Sequence, residues 1–220
     1  MMKLLEAKEW FKKIRVEKTI KSLKKHGFEV FHFNTKKEAV DKIMEIIPLK
    51  AVVGIGGSIT LRELDLPEKL RKRGNKTEDH WFAREQKETS SEEILEVRKN
   101  QINSDVFITS TNAITEKGEL VNIDGGGQRV AAMIFGPKKV IVVVGINKIT
   151  KDLEEGLWRA RNIAAPINAK RLNKNTPCVA TGICNDCDSP DRMCGVTTIL
   201  HRNMRYTPLT IILIDEDLGY

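Results

Sequence analysis

The stretch TPCVATGICNDCDSPDRMCG, residues 176–195, holds all four cysteines of the chain, Cys178, Cys184, Cys187 and Cys194, spaced C-x5-C-x2-C-x6-C. Four thiols in one polar, turn-rich loop have few chemical uses. Disulfides are disfavoured in a reducing cytoplasm, hyperthermophiles excepted. A thioredoxin-like pair opens a helix after a strand, whereas Cys184 and Cys187 lie in the turn-forming run GICNDCDSPDRMC. Metal binding is the leading reading that remains. Four thiolates can close a tetrahedral zinc site, or supply one ligand to each iron of a [4Fe–4S] cluster. A zinc ribbon carries two C-x2-C knuckles and this loop has one; the ferredoxin run C-x2-C-x2-C-x3-C is absent as well. One C-x2-C with an outlying cysteine on either side suits a cubane. The expectation is therefore a [4Fe–4S] cluster, with zinc as the alternative. No histidine lies inside the loop, and His201 is expected at the surface or in packing.

Two glycine-rich turns have the make-up of an anion site. In VVGIGGSITLRE, residues 52–63, a buried strand ends at Gly54, and Gly56 and Gly57 let the backbone approach a ligand. Ser58 or Thr60 can cap a helix whose first N–H groups face an anion. No P-loop lysine follows and the spacing is not G-x-G-x-x-G, so a tight strand-to-helix turn competes with ligand binding. In STNAITEKGELVNIDGGGQR, residues 110–129, Ser110, Thr111 and Asn112 come at the carboxyl end of a predicted strand, where open α/β sheets bind ligands. Asn122 and Asp124 close the next strand, and Gly125, Gly126 and Gly127 lead to Arg129. Three consecutive glycines are costly to order, which favours a binding loop over a plain hairpin. Arg129 has two roles open to it: a bidentate grip on a carboxylate or phosphate, or a pair with Asp124. RARNIAAPINAKR, residues 159–171, adds Arg161, Asn162, Asn168 and Lys170 around Pro166 as a polar wall. For a general base the middle motif offers Glu119 and Asp124, either of which would need burial to raise its pKa. No Ser-His-Asp or Cys-His arrangement is evident.

These residues need a scaffold, and the pattern supplies one. Residues 5–25 read as a helix, FEVFHF as a strand, and TKKEAVDKIMEII as a helix with a Thr35/Glu38 capping box. KAVVGIG, SDVFITST, GELVNI, KKVIVVVG and LTIILID read as strands, and SSEEILEVRKN as a capped helix. The charged segment from Pro67 to Thr89 reads as a helix followed by a mobile loop. A helix from about Lys151 to Ala164 is expected to stop before Pro166. Alternating strands and helices argue for an α/β fold with a mainly parallel sheet, helices on both faces, and the cysteine loop appended near the end. One domain, 1–220, is the simplest organisation, with 1–48 packed on it and 176–195 as the cysteine-rich loop.

Composition narrows the partners. The net charge is +7, with 23 Lys/Arg against 17 Asp/Glu in residues 1–100 and 14 against 13 in the remainder. The basic residues alternate with apolar ones as the wet faces of helices do, and the seven Phe, three Trp and two Tyr offer no obvious stacking platform for bases. Nucleic acid therefore ranks last among partners. No apolar run reaches the roughly 18 residues of a membrane helix and no secretory signal is present, so the expected location is the cytoplasm. No feature argues against an oligomer.

VVGIGGSITLREL, TSTNAITEKGELVNIDGGGQRVAAMIFGPKKVIVVVGINKI and RNIAAPINAKRL with the cysteine motif together resemble the stand-alone form of the lactate-utilisation (LUD) domain family, over nearly the whole chain. That family is similar to the sugar-phosphate isomerase and coenzyme A transferase superfold. The resemblance implies an α/β sheet with helices on both faces and a phosphate or substrate loop at Gly54–Ser58. It also implies a link to oxidation of L-lactate to pyruvate through iron–sulfur partner proteins. The ferredoxin-type cysteine runs of the family's larger iron–sulfur subunits are missing, so a cluster in this loop would be a distinct site. The expected activity is binding of a small anionic metabolite, by an enzyme or enzyme subunit of hydroxy-acid utilisation. Binding would fall to Gly54, Gly56, Gly57 and Ser58, to Thr111, Asn112, Asp124, Gly125, Gly126 and Arg129, and to Asn168. The alternatives are an electron-transfer or redox-sensing protein with a redox partner, and a zinc-stapled nucleic-acid binder.

Overall fold

The structure is a computed structural model that describes residues 4–86 and 89–220. Its elements run α1 (Leu4–Lys25), β1 (Glu29–Phe33), α2 (Lys36–Ile46), β2 (Val53–Ile55), α3 (Ile59–Glu63), α4 (Leu66–Arg73), β3 (Thr77–Glu78), α5 (His80–Glu85) and α6 (Ser91–Ile102). Then follow β4 (Val106–Thr109), β5 (Ala113–Thr115), β6 (Leu120–Asp124), α7 (Gln128–Ile134), β7 (Lys139–Gly145), β8 (Ile149–Thr150) and α8 (Leu153–Arg159). The chain ends with α9 (Ala165–Arg171), α10 (Pro177–Thr181), β9 (Val196–Leu200) and β10 (Leu209–Ile214).

Six strands form one parallel sheet in the order β1-β10-β7-β4-β2-β3. The central strands KVIVVVG and LTIILI are apolar throughout because helices or a second sheet cover both faces. Alternation along β7 assigns the faces. Ile141 and Val143 join a core with Ala39, Val40 and Ile43 of α2 and Leu61, Leu66 and Leu70 of α3 and α4. Val140, Val142 and Val144 point the other way, onto Val16 and Leu23 of α1 and Ala132 and Met133 of α7. Each fully buried Leu or Ile contributes about 1.5–3 kcal/mol relative to exposure. The second sheet, β8-β5-β6-β9, is mixed and lies on this second face. The 1–48 segment is partly integral to the main sheet, since β1 pairs with β10 at its edge.

The capping boxes are present at Thr35/Glu38 and Ser90/Glu93. Segment 67–89 differs from the expected helix and loop: it holds most of α4, then β3 and α5, while Lys87 and Glu88 lie outside the described residues. The expected stop before Pro166 is also corrected. The chain stays helical from Leu153 to Arg171, because residues 160–164 form a π turn in which the Ala165 N–H donates to Ala160 O. The wider turn carries the chain past a proline that has no N–H to give.

The topology locates a crevice. From β2 the chain moves outward to the edge strand β3, then returns inside to β4 and proceeds the other way to β7 and β10. The adjacent pair β2 and β4 is thus a topological switch point, and ligands of open α/β sheets bind outside the carboxyl ends of such strands.

Candidate functional site

A cavity of about 570 Å³ opens at that switch point. Gly57 and Ser58 enter it from the end of β2, Ser110, Thr111 and Asn112 from the end of β4, and Asp124, Gly125 and Gly126 from the turn after β6. Arg129 and Asn168 line it from α7 and α9. Three separate sequence motifs therefore meet around one space.

Gly54 and Gly56 do not line it. A Cβ at Gly56 would come within 2.6 Å of Thr109 Oγ1 and 3.0 Å of the Phe107 ring, and one at Gly54 within 2.7 Å of Ser104 Oγ. These two glycines let β2 lie close to β4 and the end of α6. Glu119 is absent from the cavity as well. It sits in the β5–β6 turn, where its carboxylate accepts from Thr115 Oγ1.

Asp124 and Arg129 brace the glycine turn. Asp124 Oδ1 accepts from the N–H groups of Gly126 (3.0 Å) and Gly127 (2.7 Å), the latter left-handed at φ 81°. Arg129 is 8% exposed and all its donors are engaged. Nε binds Asp124 Oδ2 at 3.0 Å; one terminal nitrogen binds Ser110 O and Asn122 Oδ1; the other binds Asn112 Oδ1 and Ile123 O. Of the two roles open to Arg129, the pair with Asp124 is the one observed. Thr111 Oγ1 is likewise directed inward, to the carbonyls of Ala113 and Val121, both at 3.0 Å.

The unpaired charge at the cavity comes from residues that the motifs did not flag. Seven basic residues line the cavity against two acidic ones, Asp124 and Asp191, and both acids already bind neighbouring basic groups. Arg84, Arg98, Lys148 and Arg171 have no carboxylate partner among the described residues. Arg98 keeps a buried Nε without a hydrogen-bond partner. Burial, then the neighbouring Arg84, pull its pKa below the usual guanidinium range, while Asp124 opposes them. His80 donates no positive charge: burial, Arg98 and Arg84 push it down to about 4. Its Nδ1 lies 3.0 Å from Gln101 Nε2. Beside it, the Trp81 ring has Arg62 at 5.0 Å and Arg171 at 4.7 Å, which fixes an aromatic wall between cations.

Lys148 lies just beyond the carboxyl end of β7 and is 3% exposed. Its Nζ donates to Thr60 Oγ1 (2.9 Å) and Ser110 Oγ (3.0 Å). Burial first, and then Arg159 and Arg129, lower its pKa to about 7; Glu63 acts in the opposite sense. The local sequence GINKITK carries no signal of that burial, which depends on partners distant in the chain.

The cysteine loop adjoins this cavity. Cys178, Cys184, Cys187 and Cys194 are free and half-buried, and all four line one small cavity of about 30 Å³. Ala165, Arg192 and Met193 line both cavities. The π turn holds the loop through Asn162, whose Oδ1 accepts from Cys184 N at 3.1 Å. At the other end Gly195 N donates to Asp124 O at 3.0 Å, and a Cβ on Gly125 would come within 2.9 Å of Met193 O. Arg192 donates to the carbonyls of Cys187 and Cys194. Burial pushes the Cys194 thiol up, the charges of Cys184, Cys178 and Cys187 add to it, and Arg192 opposes them. Among the described residues no three His, Cys, Asp or Glu groups converge closely enough to hold a single metal ion.

No helix among the described residues is long and apolar enough to cross a membrane. No curated protein matches the chain. A structural neighbour is the crystal structure of a DUF162 family protein from Deinococcus radiodurans, with TM-score 0.50 and 13% identity over 92% of this chain and 98% of that one. At that identity the likeness shows the fold. The LUD domain family model matches residues 16–214, nearly the whole length, and the chain belongs to the LUD domain family.

Proposed function

We propose that the protein binds a small anionic metabolite, a carboxylate or phosphate, in the switch-point cavity, and that it serves as an enzyme or enzyme subunit in lactate or hydroxy-acid utilisation. The observation that carries this reading is the set of basic side chains, Arg84, Arg98, Lys148 and Arg171, that line one cavity without carboxylate partners among the described residues. Arg98 is half-buried and Lys148 buried, where a positive charge needs a counter-charge that a ligand anion would supply, while Arg84 and Arg171 are exposed. Asp124 and Arg129 shape the cavity by bracing the glycine turn. Trp81 and the carbon stems of the arginines exclude water from the bound anion.

The four cysteines are read as the ligands of a [4Fe–4S] cluster. One zinc draws four sulfurs to about 2.3 Å from a single point, whereas a cubane asks one thiolate of each of four irons. Four half-buried thiols around a shared cavity, rather than gathered on one point, suit the second arrangement. A bound cation would also offset the burial, and then the mutual repulsion, that raise Cys194. A cluster held there would supply one-electron transfer. The wall shared with the anion cavity favours an enzyme or subunit over a stand-alone electron carrier or sensor. A cytoplasmic location would keep the thiols reduced.

The test is a spectrum with iron, zinc and sulfide analysis on anaerobically purified protein, alongside calorimetric titration with L-lactate and with sulfate. Brown colour, iron and acid-labile sulfide, lost in Cys187→Ser, are expected. So is anion binding that weakens in Arg98→Ala. Zinc without sulfide would refute the cluster, and absence of anion binding would refute the cavity assignment.

A further inference from the structure

Among the described residues the buried amine of Lys148 has hydroxyl partners only. Thr60 Oγ1 donates its own hydrogen to Leu218 O (3.3 Å) and Ser110 Oγ donates to Thr111 O (3.4 Å), so both hydroxyls present lone pairs to Nζ. A neutral amine has two N–H groups, and these two hydroxyls accept both of them. Its lone pair is then left over, on a residue that lines the anion cavity. The charged groups around it come from three elements: Glu63 from α3, Arg129 from α7 and Arg159 from α8. The two guanidiniums oppose a third positive charge. Glu63 is turned to another task, since its Oε2 accepts from Gly219 N at 2.8 Å. The ammonium form thus lacks a counter-ion until something anionic enters.

We propose that Lys148 is the contact on which the anionic group of the ligand closes, and that its amine takes up a proton from solvent as the anion arrives. The inference rests on the anion-cavity reading above and adds a residue and a proton to it. The neutral amine gains one proton, its lone pair becomes a third N–H, and that N–H donates to the carboxylate or phosphoryl oxygen. For a carboxylate the charge balances within the site, one negative charge entering with one proton; a dianion leaves its second charge to the neighbouring arginines. The lowered pKa of the empty site, about 7, agrees with an amine that is largely neutral in mildly alkaline solution. An anion at hydrogen-bond distance favours the ammonium and raises that pKa.

The sign of the effect follows. Below the free pKa the lysine is already protonated and affinity is independent of pH. Above it, binding must bring a proton, so affinity falls by about tenfold per pH unit until the pKa of the bound state is passed.

The experiment is isothermal titration calorimetry of the full chain between about pH 6 and about pH 9, a range in which neither probe titrates. L-lactate represents the carboxylate and sulfate the phosphoryl group. Affinity should be level to about pH 7 and then fall. At about pH 8 the binding heat should change with the ionisation enthalpy of the buffer, in proportion to nearly one proton taken up. Lys148→Met should bind weakly and without the pH slope. Ser110→Ala, a smaller change, should move the break to lower pH, because the ammonium loses one acceptor. A slope with lactate alone assigns the contact to a carboxylate, and with sulfate alone to a phosphoryl group. Binding of either anion with flat affinity and no buffer dependence overturns the role of Lys148 and leaves the cavity reading standing. A wild-type slope in Lys148→Met overturns it too. Failure of both anions to bind at about pH 6 overturns the cavity reading together with it.

Discussion

Arg129 shows how a residue selected by type can have a different task from the one its type suggests. An arginine after three glycines resembles a ligand clamp, yet its guanidinium donates to Asp124, Ser110, Asn122, Asn112 and Ile123, which leaves no N–H for a ligand. The substitution Arg129→Met should therefore act mainly on stability. It leaves Asp124, whose side chain is 9% exposed, without its guanidinium, and removes a donor from the Ile123 carbonyl and from that of Ser110, which keeps Thr109 Oγ1. Removing one partner of a buried pair costs about 3–5 kcal/mol, so a loss of this size is expected from urea unfolding. Arg129→Lys should recover little, because three N–H groups on a flexible stem cannot reproduce a planar fork. Wild-type stability in Arg129→Met would show that the brace is dispensable. The sequence exposed Arg129 and Asp124 because both are charged residues in a glycine-rich turn. It hid the use of Gly54 and Gly56, since nothing local reveals that Thr109, Phe107 and Ser104 lie against them. Lys148 was hidden for the same reason, its burial being set by Thr60 and Ser110, which are 88 and 38 positions away in the chain.

At the scale of elements, alternating apolar runs and two capping boxes made the α/β pattern legible, because each strand and helix carries its own periodicity and end signals. The helix around Pro166 was not legible. Proline is a local stop signal, but tertiary packing of Ala160, Ala164 and Ala169 keeps the chain helical and the π turn absorbs the misfit. That turn has a consequence for the cysteine loop, because it presents Asn162 to the Cys184 N–H and Arg161 to the four-thiol cavity. The Asn162 contact, made from the π turn between α8 and α9, ties the loop down at Cys184. Asn162→Ala should cost about 1 kcal/mol, the net value of one hydrogen bond, and so barely shift global unfolding. Its larger effect should be local: faster amide hydrogen exchange through residues 183–187 and lower iron content after anaerobic reconstitution. Unchanged exchange in that segment would place the support of the loop elsewhere, at Arg192 and Asp191.

The whole molecule joins two cavities through one wall, and this arrangement carries a thermodynamic requirement. Pro190, Asp191, Arg192 and Met193 belong to the cysteine loop yet line the larger cavity, and Gly195 is bonded to Asp124 in the glycine turn. Ordering the loop around the proposed cluster would fix the placement of Arg192, which lines both cavities. An anion in the larger cavity acts on the same residue from the other side. If both ligands favour one arrangement of residues 190–195, each must strengthen the other by the same factor. Coupling of this kind is typically about 1–3 kcal/mol, so the cluster-loaded protein should bind sulfate at least about fivefold more tightly than the cluster-free protein. Reciprocally, sulfate should slow removal of iron by a chelator. Arg192→Ala should reduce both effects together while leaving the anion contacts at Arg98 and Lys148 in place. Equal sulfate affinity with and without the cluster would mean that the wall is shared in position only, and that the cysteine loop works independently of the anion cavity.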